Sequence, residues 1–242
     1  MNVLDCRGMH YREINARLEE WWRNGCREAL LQGVNGQRYL GRAFSEGYLE
    51  IEGTPGDDVG IFLNGATVRI KGNGQDGVGN TMNRGKIIVE GDARDIVGFS
   101  MRGGKIWVRG SVGYRVGIHM KSYLDEYPVI IVGGEAGDFL GEYMAGGLIV
   151  ILGLGSKKPI YGSFIAPGMH GGTIIIRGEV SEKVVSAGVK MSPLEEHEWR
   201  GVSAYLEEYS HDLALSLPSF RPSDFVKLFP LTTRPYGRIY AY

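Results

Sequence analysis

At 242 residues the chain is long enough for one large domain or two small ones, and it can bury a substantial core. Lys plus Arg number 27 and Asp plus Glu 28, so no basic footprint for nucleic acid or an anionic membrane stands out. The 38 glycines against 9 prolines, spaced between β-rich runs, signal repeated turns and not a disordered tract.

The amino terminus carries Asp5, Arg7 and Arg12 where a signal peptide would need an apolar run. The longest apolar segment, Leu148–Leu152, is too short to span a bilayer, so a cytoplasmic protein is expected. Cys6 and Cys26 form no metal-ligand pattern. Two reduced thiols is the favoured reading and a disulfide between them the alternative. Residues 11 to 32 read as helical, with Ile14, Leu18, Trp21 and Trp22 at three- and four-residue steps and Asn24-Gly25 as a stop. Together with residues 1–33 as a whole they are expected to form an amphipathic cap on the domain that follows.

A comb of glycines then runs through 34–180. Gly41, Gly60, Gly79, Gly98 and Gly117 are each 19 residues apart, and Gly53, Gly72, Gly91 and Gly110 follow the first four by twelve. Three places past each leading glycine stands an apolar side chain: Phe44, Leu63, Met82, Met101 and Met120. Each repeat contains an alternating strand, such as Tyr48–Glu52, Thr67–Lys71, Lys86–Glu90 and Lys105–Arg109. Stacked in register, Leu49, Val68, Ile87 and Ile106 make one inward row, and Ile51, Ile70, Val89 and Val108 a second. The pattern predicts an all-β core folded as a right-handed parallel β-helix, a solenoid of about seven coils, with helical caps at both ends. On its outward row Ile88 and Trp107 break the run of charges, which predicts an exposed apolar contact patch.

Residues 121–127 interrupt the comb and are expected to protrude as a loop. Residues 181–242 form a carboxy-terminal helix and tail. Ser192-Pro193-Leu194-Glu195 reads as a helix start, with Trp199, Val202, Tyr205, Leu206 and Tyr209 continuing to about His211. The stretch 210–230 reads as irregular or short helix, and the aromatic tail Thr232–Tyr242 is expected to dock on its own fold or on a partner.

Candidate chemistry is sparse. Gly77-Val78-Gly79 opens like a dinucleotide fingerprint, but its third glycine is misplaced and no helix follows. The nearest lookalike of a nucleophile elbow surrounds Ser45, inside a repeat corner, and Ser163 pairs by motif with none of His10, His119, His170, His197 or His211. Asp57, Asp76 and Asp95 each precede a leading glycine by three places; hydrogen-bonded corners are favoured over calcium. His119 and His170 sit in glycine corners without a third metal ligand in view. Met82, Met101, Met120 and Met144 repeat as an interior stack and not as a soft-metal site. No catalytic, cofactor-binding or metal-binding residue is assigned.

Residues 141–153 and the corner Gly168-Met169-His170-Gly171-Gly172 resemble the GXGXG domain, the carboxy-terminal β-helix of the glutamate synthase large subunit. The whole layout is similar to the separately encoded, archaeal-type form of that domain. The resemblance implies a non-catalytic structural subunit of a split glutamate synthase, which makes glutamate from glutamine and 2-oxoglutarate. Its partners would be a glutamine amidotransferase subunit and a synthase subunit carrying FMN and an iron–sulfur cluster, with no cofactor in this chain. The same domain also resembles the GXGXG subunit of formylmethanofuran dehydrogenase and a subunit of N-methylglutamate synthase, which is the alternative. A small esterase is a third reading, weakened by the missing nucleophile motif.

Overall fold

The computed structural model describes residues 1–156 and 159–233. Most of the aromatic tail for which docking was expected therefore lies outside the described residues. The elements are β1 Asn2–Asp5, α1 Tyr11–Arg23, β2 Glu28–Asn35, β3 Tyr48–Thr54, β4 Asn64–Ile70, β5 Arg84–Val89, β6 Lys105–Val108, β7 Val129–Val132, β8 Ala145–Ile151, β9 Gly171–Arg177, β10 Val189–Pro193, α2 Glu196–Asp212 and β11 Phe225–Pro230.

All eleven strands belong to one open sheet in the order β1-β2-β3-β4-β5-β6-β7-β8-β9-β11-β10. Pairing is parallel from β1 to β9, while β11 runs antiparallel to both β9 and β10. This corrects the expected right-handed parallel β-helix. Each repeat supplies a single strand, and among the described residues the rest of the repeat forms turns joined by isolated bridges such as Val112 to Ala136, with no second or third sheet. The chain then closes the array with two antiparallel strands that the comb of glycines did not announce.

The register is the one the repeat dictates. Leu49, Val68, Ile87, Ile106, Ile130, Ile149 and Ile174 are paired neighbours along one row. Ile51, Ile70, Val89, Val108, Val132, Ile151 and Ile176 form the next row, and all fourteen side chains are fully buried. At roughly 1.5–3 kcal/mol for each buried branched side chain, these two rows are a principal source of stability.

On the inner side of the sheet the turns lie over these rows and stack upon one another. The amide of Gly79 donates to the carbonyl of Val59 at 2.9 Å, and that of Gly98 to Val78 at 2.8 Å. Gly79 needs to be glycine for two reasons. Its φ is +72°, and a Cβ there would lie 2.4 Å from Ile106 Cδ1 in the next repeat's strand. The leading glycine thus makes room for the isoleucine that follows it one repeat later. Met82, Met101, Met120 and Met144, three places on, are buried in the same core.

Helix α1 replaces one set of turns between β1 and β2. It stops at the Asn24 cap, whose amide donates to the Glu20 carbonyl at 3.0 Å, and Gly25 turns the chain with φ +86°. The helix is therefore shorter than the 11–32 expected: Ala29 and Leu31 are buried on alternate positions of a strand. Ile14 and Leu18 enter the core, and Trp22 stacks on Phe44 with ring centroids 4.2 Å apart.

Candidate functional site

The outer face of the sheet is where the sequence promised a contact patch. The row Ile88, Trp107, Ile131, Val150, Ile175 is continuous across β5 to β9. Ile88 is 3% and Trp107 0% exposed, so the predicted exposed patch is corrected: α2 and the segment after it cover it. Val202, Leu206, Tyr209, Leu213 and Phe225 supply the cover. Helix α2 begins three residues beyond the expected Ser192 cap, because Ser192 and Pro193 finish β10 and Glu195 becomes the cap. The Glu195 amide donates to the returning carboxylate of Glu198 at 3.1 Å.

Polar bonds clasp the carboxy-terminal end of α2 to the sheet. Lys86 Nζ reaches Asp212 Oδ2 at 2.5 Å and Glu208 Oε1 at 2.7 Å, and Lys105 Nζ reaches Glu208 Oε2 at 2.6 Å. Arg69 donates to the Asp212 carbonyl at 3.0 Å and Arg109 to the Leu213 carbonyl at 2.6 Å. Cations gathered at a helix carboxy terminus also meet its partial negative charge. Inside the rim, the Trp107 indole donates to Asp212 Oδ2 at 3.0 Å and the Tyr209 hydroxyl to the Val108 carbonyl at 3.0 Å. Burial alone would raise the Asp212 carboxyl, but hydrogen bonds from Lys86 and Trp107 outweigh it and hold the group below the usual carboxylate range. Burial pushes the Tyr209 phenol up.

The opposite side of the molecule is formed by the stacked turns. In each, residues two places before, at and two places after the leading position are left-handed, giving for example Asp58, Gly60 and Phe62, or Phe139, Gly141 and Tyr143. Only the middle one is regularly glycine. The outer two mostly carry side chains, despite a conformation that L residues resist. Several of these side chains are aromatic and face solvent: Phe62 is 50%, Tyr143 41% and Phe164 58% exposed. Phe164 stacks on Phe139 and Tyr143 on His119, both with centroids 5.2 Å apart.

The residues singled out for chemistry occupy structural places. Asp76 and Asp95 accept backbone amides of the next repeat, from Asp95 at 3.2 Å and Tyr114 at 2.9 Å, which makes them corner ladders. The Ser163 amide donates to Asp138 at 2.7 Å. Ser45 lies exposed in its turn, where a Cβ on Gly65 would collide with its carbonyl at 2.1 Å. His10 caps α1, His170 Nδ1 lies 3.1 Å from the Gly168 carbonyl, and His197 and His211 are on α2. Among the described residues, no three His, Cys, Asp or Glu side chains gather to hold a metal ion. Cys6 and Cys26 are both free thiols, and burial, followed by the nearby Asp5 charge, pushes Cys6 up to about 11. Two open grooves stand out. One of about 990 Å³ includes Tyr161, Arg177 and Phe220 near β9 and β11, and one of about 700 Å³ includes Trp22, Tyr39 and Phe62 beside α1. Among the described residues no helix is long and apolar enough to cross a membrane.

A glycine-cornered repeat with left-handed residues two places apart is the defining feature of the chain. The GXGXG motif family matches residues 22–219, and the chain belongs to that family. It is 39% identical to "Uncharacterized protein MJ1350" of Methanocaldococcus jannaschii, over 98% of this chain and 95% of that one. Among solved structures, it is similar to a chain of the formyltransferase/hydrolase complex (FhcABCD) of Methylorubrum extorquens, determined with methylofuran. That likeness covers 78% of this chain and 71% of the other at a TM-score of 0.64 and 22% identity, so it speaks for the fold.

Proposed function

We propose that the chain is a non-catalytic, structural GXGXG subunit of a multi-subunit cytoplasmic complex. The observation that carries this reading is the shared fold with a chain of a formyltransferase/hydrolase complex. Its conspicuous carboxylates also serve structure, with Asp76, Asp95 and Asp138 accepting backbone amides of the next repeat and α2 clasped over the sheet. On this reading the reacting groups belong to partner chains. The first candidate for the complex is one related to formylmethanofuran dehydrogenase, with this chain in the position of its GXGXG subunit.

The second reading is a split glutamate synthase, favoured by the resemblance of residues 141–153 and 168–172 to that enzyme's carboxy-terminal domain. In that case an amidotransferase and a synthase subunit carrying FMN and an iron–sulfur cluster would be the partners. Purification of the native complex through a tag on this chain, followed by identification of the co-purifying subunits, tests both. Formyl-transferring subunits support the first reading, and amidotransferase and flavin subunits the second. A solitary chain that hydrolyses short esters and loses that activity with Ser163→Ala would overturn both.

A further inference from the structure

We infer that the carboxy-terminal end of the turn stack, at Phe164 and Gly168, is a docking site for a backbone segment of another subunit that presents two carbonyl oxygens. The inference rests on the assembly reading above and names where on this chain a neighbour joins it. In the six turns from Tyr39–Ala43 to Phe139–Tyr143, the left-handed residues on either side of the leading position donate their amides to carbonyls of the next turn, at 2.7–3.0 Å. Phe139 donates to Ser163 at 3.0 Å and Tyr143 to Pro167 at 2.8 Å. Phe164 and Gly168 hold the same two places in the seventh turn, with φ of +57° and +68°. Among the described residues their amides meet no acceptor. Beyond this turn the chain supplies only the middle of another. Ser186 donates to the Ile165 carbonyl at 2.9 Å, as each leading residue does to the turn before it, and Ile165 donates to the Val184 carbonyl at 2.7 Å. Beside them Val180, Val184, Val185, Val189 and Met191 are only half-buried against the core.

The opposite end of the stack is finished within the chain. There the first turn offers carbonyls, and α1 lies across it. Asn15, itself buried, donates Nδ2 to the Arg38 carbonyl at 3.0 Å, while Ile14 and Leu18 cover the core. Backbone groups at the end of a stack need partners as those of a sheet edge do, and a repeat array is capped at both ends. The earlier turns show what the open end takes: carbonyl oxygens opposite Phe164 and Gly168, a main-chain recognition of the kind used in strand addition. A second copy joined across a two-fold axis would set amide against amide. A copy stacked head to tail would bring α1 to this end, with its Asn15 already lying on the Arg38 carbonyl. A turn or extended segment of a different subunit satisfies both amides and lays apolar side chains on the half-buried valines.

The test compares hydrogen exchange in the isolated full-length chain and in the native complex purified through a tag on it, read by mass spectrometry with fragmentation to single residues across 139–168. In the isolated chain the amides of Phe164 and Gly168 are expected to exchange at least about a hundredfold faster than those of Phe139 and Tyr143. In the complex both are expected to slow by at least about tenfold. A variant gives a second measure. Ala187→Glu, exposed beside Ser186 at this end, is expected to weaken binding of the co-purifying subunits by about tenfold with Tm unchanged, whereas Arg12→Glu, exposed on α1 at the other end, leaves binding as it was. An intact complex in which both amides exchange as fast as in the isolated chain overturns the inference and leaves the assembly reading standing. Protection already present in the isolated chain and lost on dilution means that a second copy occupies this end, and the inference fails. A chain that purifies alone overturns the assembly reading and this inference together.

Discussion

The indole of Trp107, on the central strand β6, donates a 3.0 Å hydrogen bond to the carboxylate of Asp212, the last residue of α2, across 105 residues of sequence. The ring is fully buried beneath the helix, and Lys86 holds the same carboxylate oxygen from the other side. Trp107→Ala is expected to destabilise the protein by about 3–5 kcal/mol, as removal of a buried tryptophan does. Trp107→Phe keeps most of the packing and strips the donor, for an expected cost of about 1–2 kcal/mol. Equilibrium urea unfolding of both variants checks the order. A Trp107→Phe variant as stable as the wild type would mean that the hydrogen bond carries no weight.

The clasp also sets a pH dependence. Burial would raise the carboxyls of Glu208 and Asp212, yet hydrogen bonds from Lys105, Lys86 and Trp107 hold both below their ordinary range. A carboxylate lowered on folding contributes stability above its unfolded value and loses it as pH falls through the folded one. The α2 clasp is thus expected to be at full strength above about pH 5 and to weaken below about pH 4. Lys86 is the opposite case: burial would lower it, but Asp212 and Glu208 raise it. Its contribution is complete below about pH 10 and is lost as pH rises through the folded value. The Trp107 indole N–H resonance, followed by NMR from pH 7 to 3, should shift before global unfolding, whereas in Asp212→Asn that early shift should disappear.

Two glycines separate conformation from crowding. Gly79 has φ +72° and Ile106 Cδ1 only 2.4 Å from where its Cβ would sit, whereas Gly178 has φ +85° and nothing within 4 Å. Gly178→Ala is expected to cost about 1–2 kcal/mol, the penalty of left-handed backbone alone. Gly79→Ala should cost more than that by thermal or urea unfolding, and Ile106→Val in the same chain should recover part of the excess by removing the colliding methyl. Additive effects of Gly79→Ala and Ile106→Val would contradict the contact.

The thiols should differ in reactivity. Cys6 is fully buried and pushed up to about 11, while Cys26 is only partly covered. Iodoacetamide at pH 8 is expected to label Cys26 in the native protein and Cys6 only after denaturation, as read by mass spectrometry.

The inner half of this fold is written in the sequence. The 19-residue spacing places Leu49, Val68, Ile87 and Ile106 in one row, and the strands pair in that register. The fold class is not legible in the same way, because the repeat specifies stacking without saying how many strands each unit forms, and one sheet results. The outer face is only half legible. Ile88 and Trp107 stand out as apolar, but Ile131, Val150 and Ile175 extend the same row, and such a run calls for a cover within the chain. That cover is Leu206 and Tyr209, about a hundred residues away from Trp107, which no local pattern connects. The left-handed rings at Phe62 and Phe164 leave no local signal either, since position within the turn, and not residue type, fixes their backbone.

The claim that this chain assembles a complex without performing its chemistry is tested most directly by reconstitution. The catalytic subunits that co-purify with it are mixed with and without the chain, and assembly mass and overall turnover are measured together. The account predicts that without the chain the partial reactions of the separate subunits persist while the full-mass complex and the coupled turnover are lost. A complex of otherwise unchanged composition that forms and turns over at the same rate without it would contradict that claim.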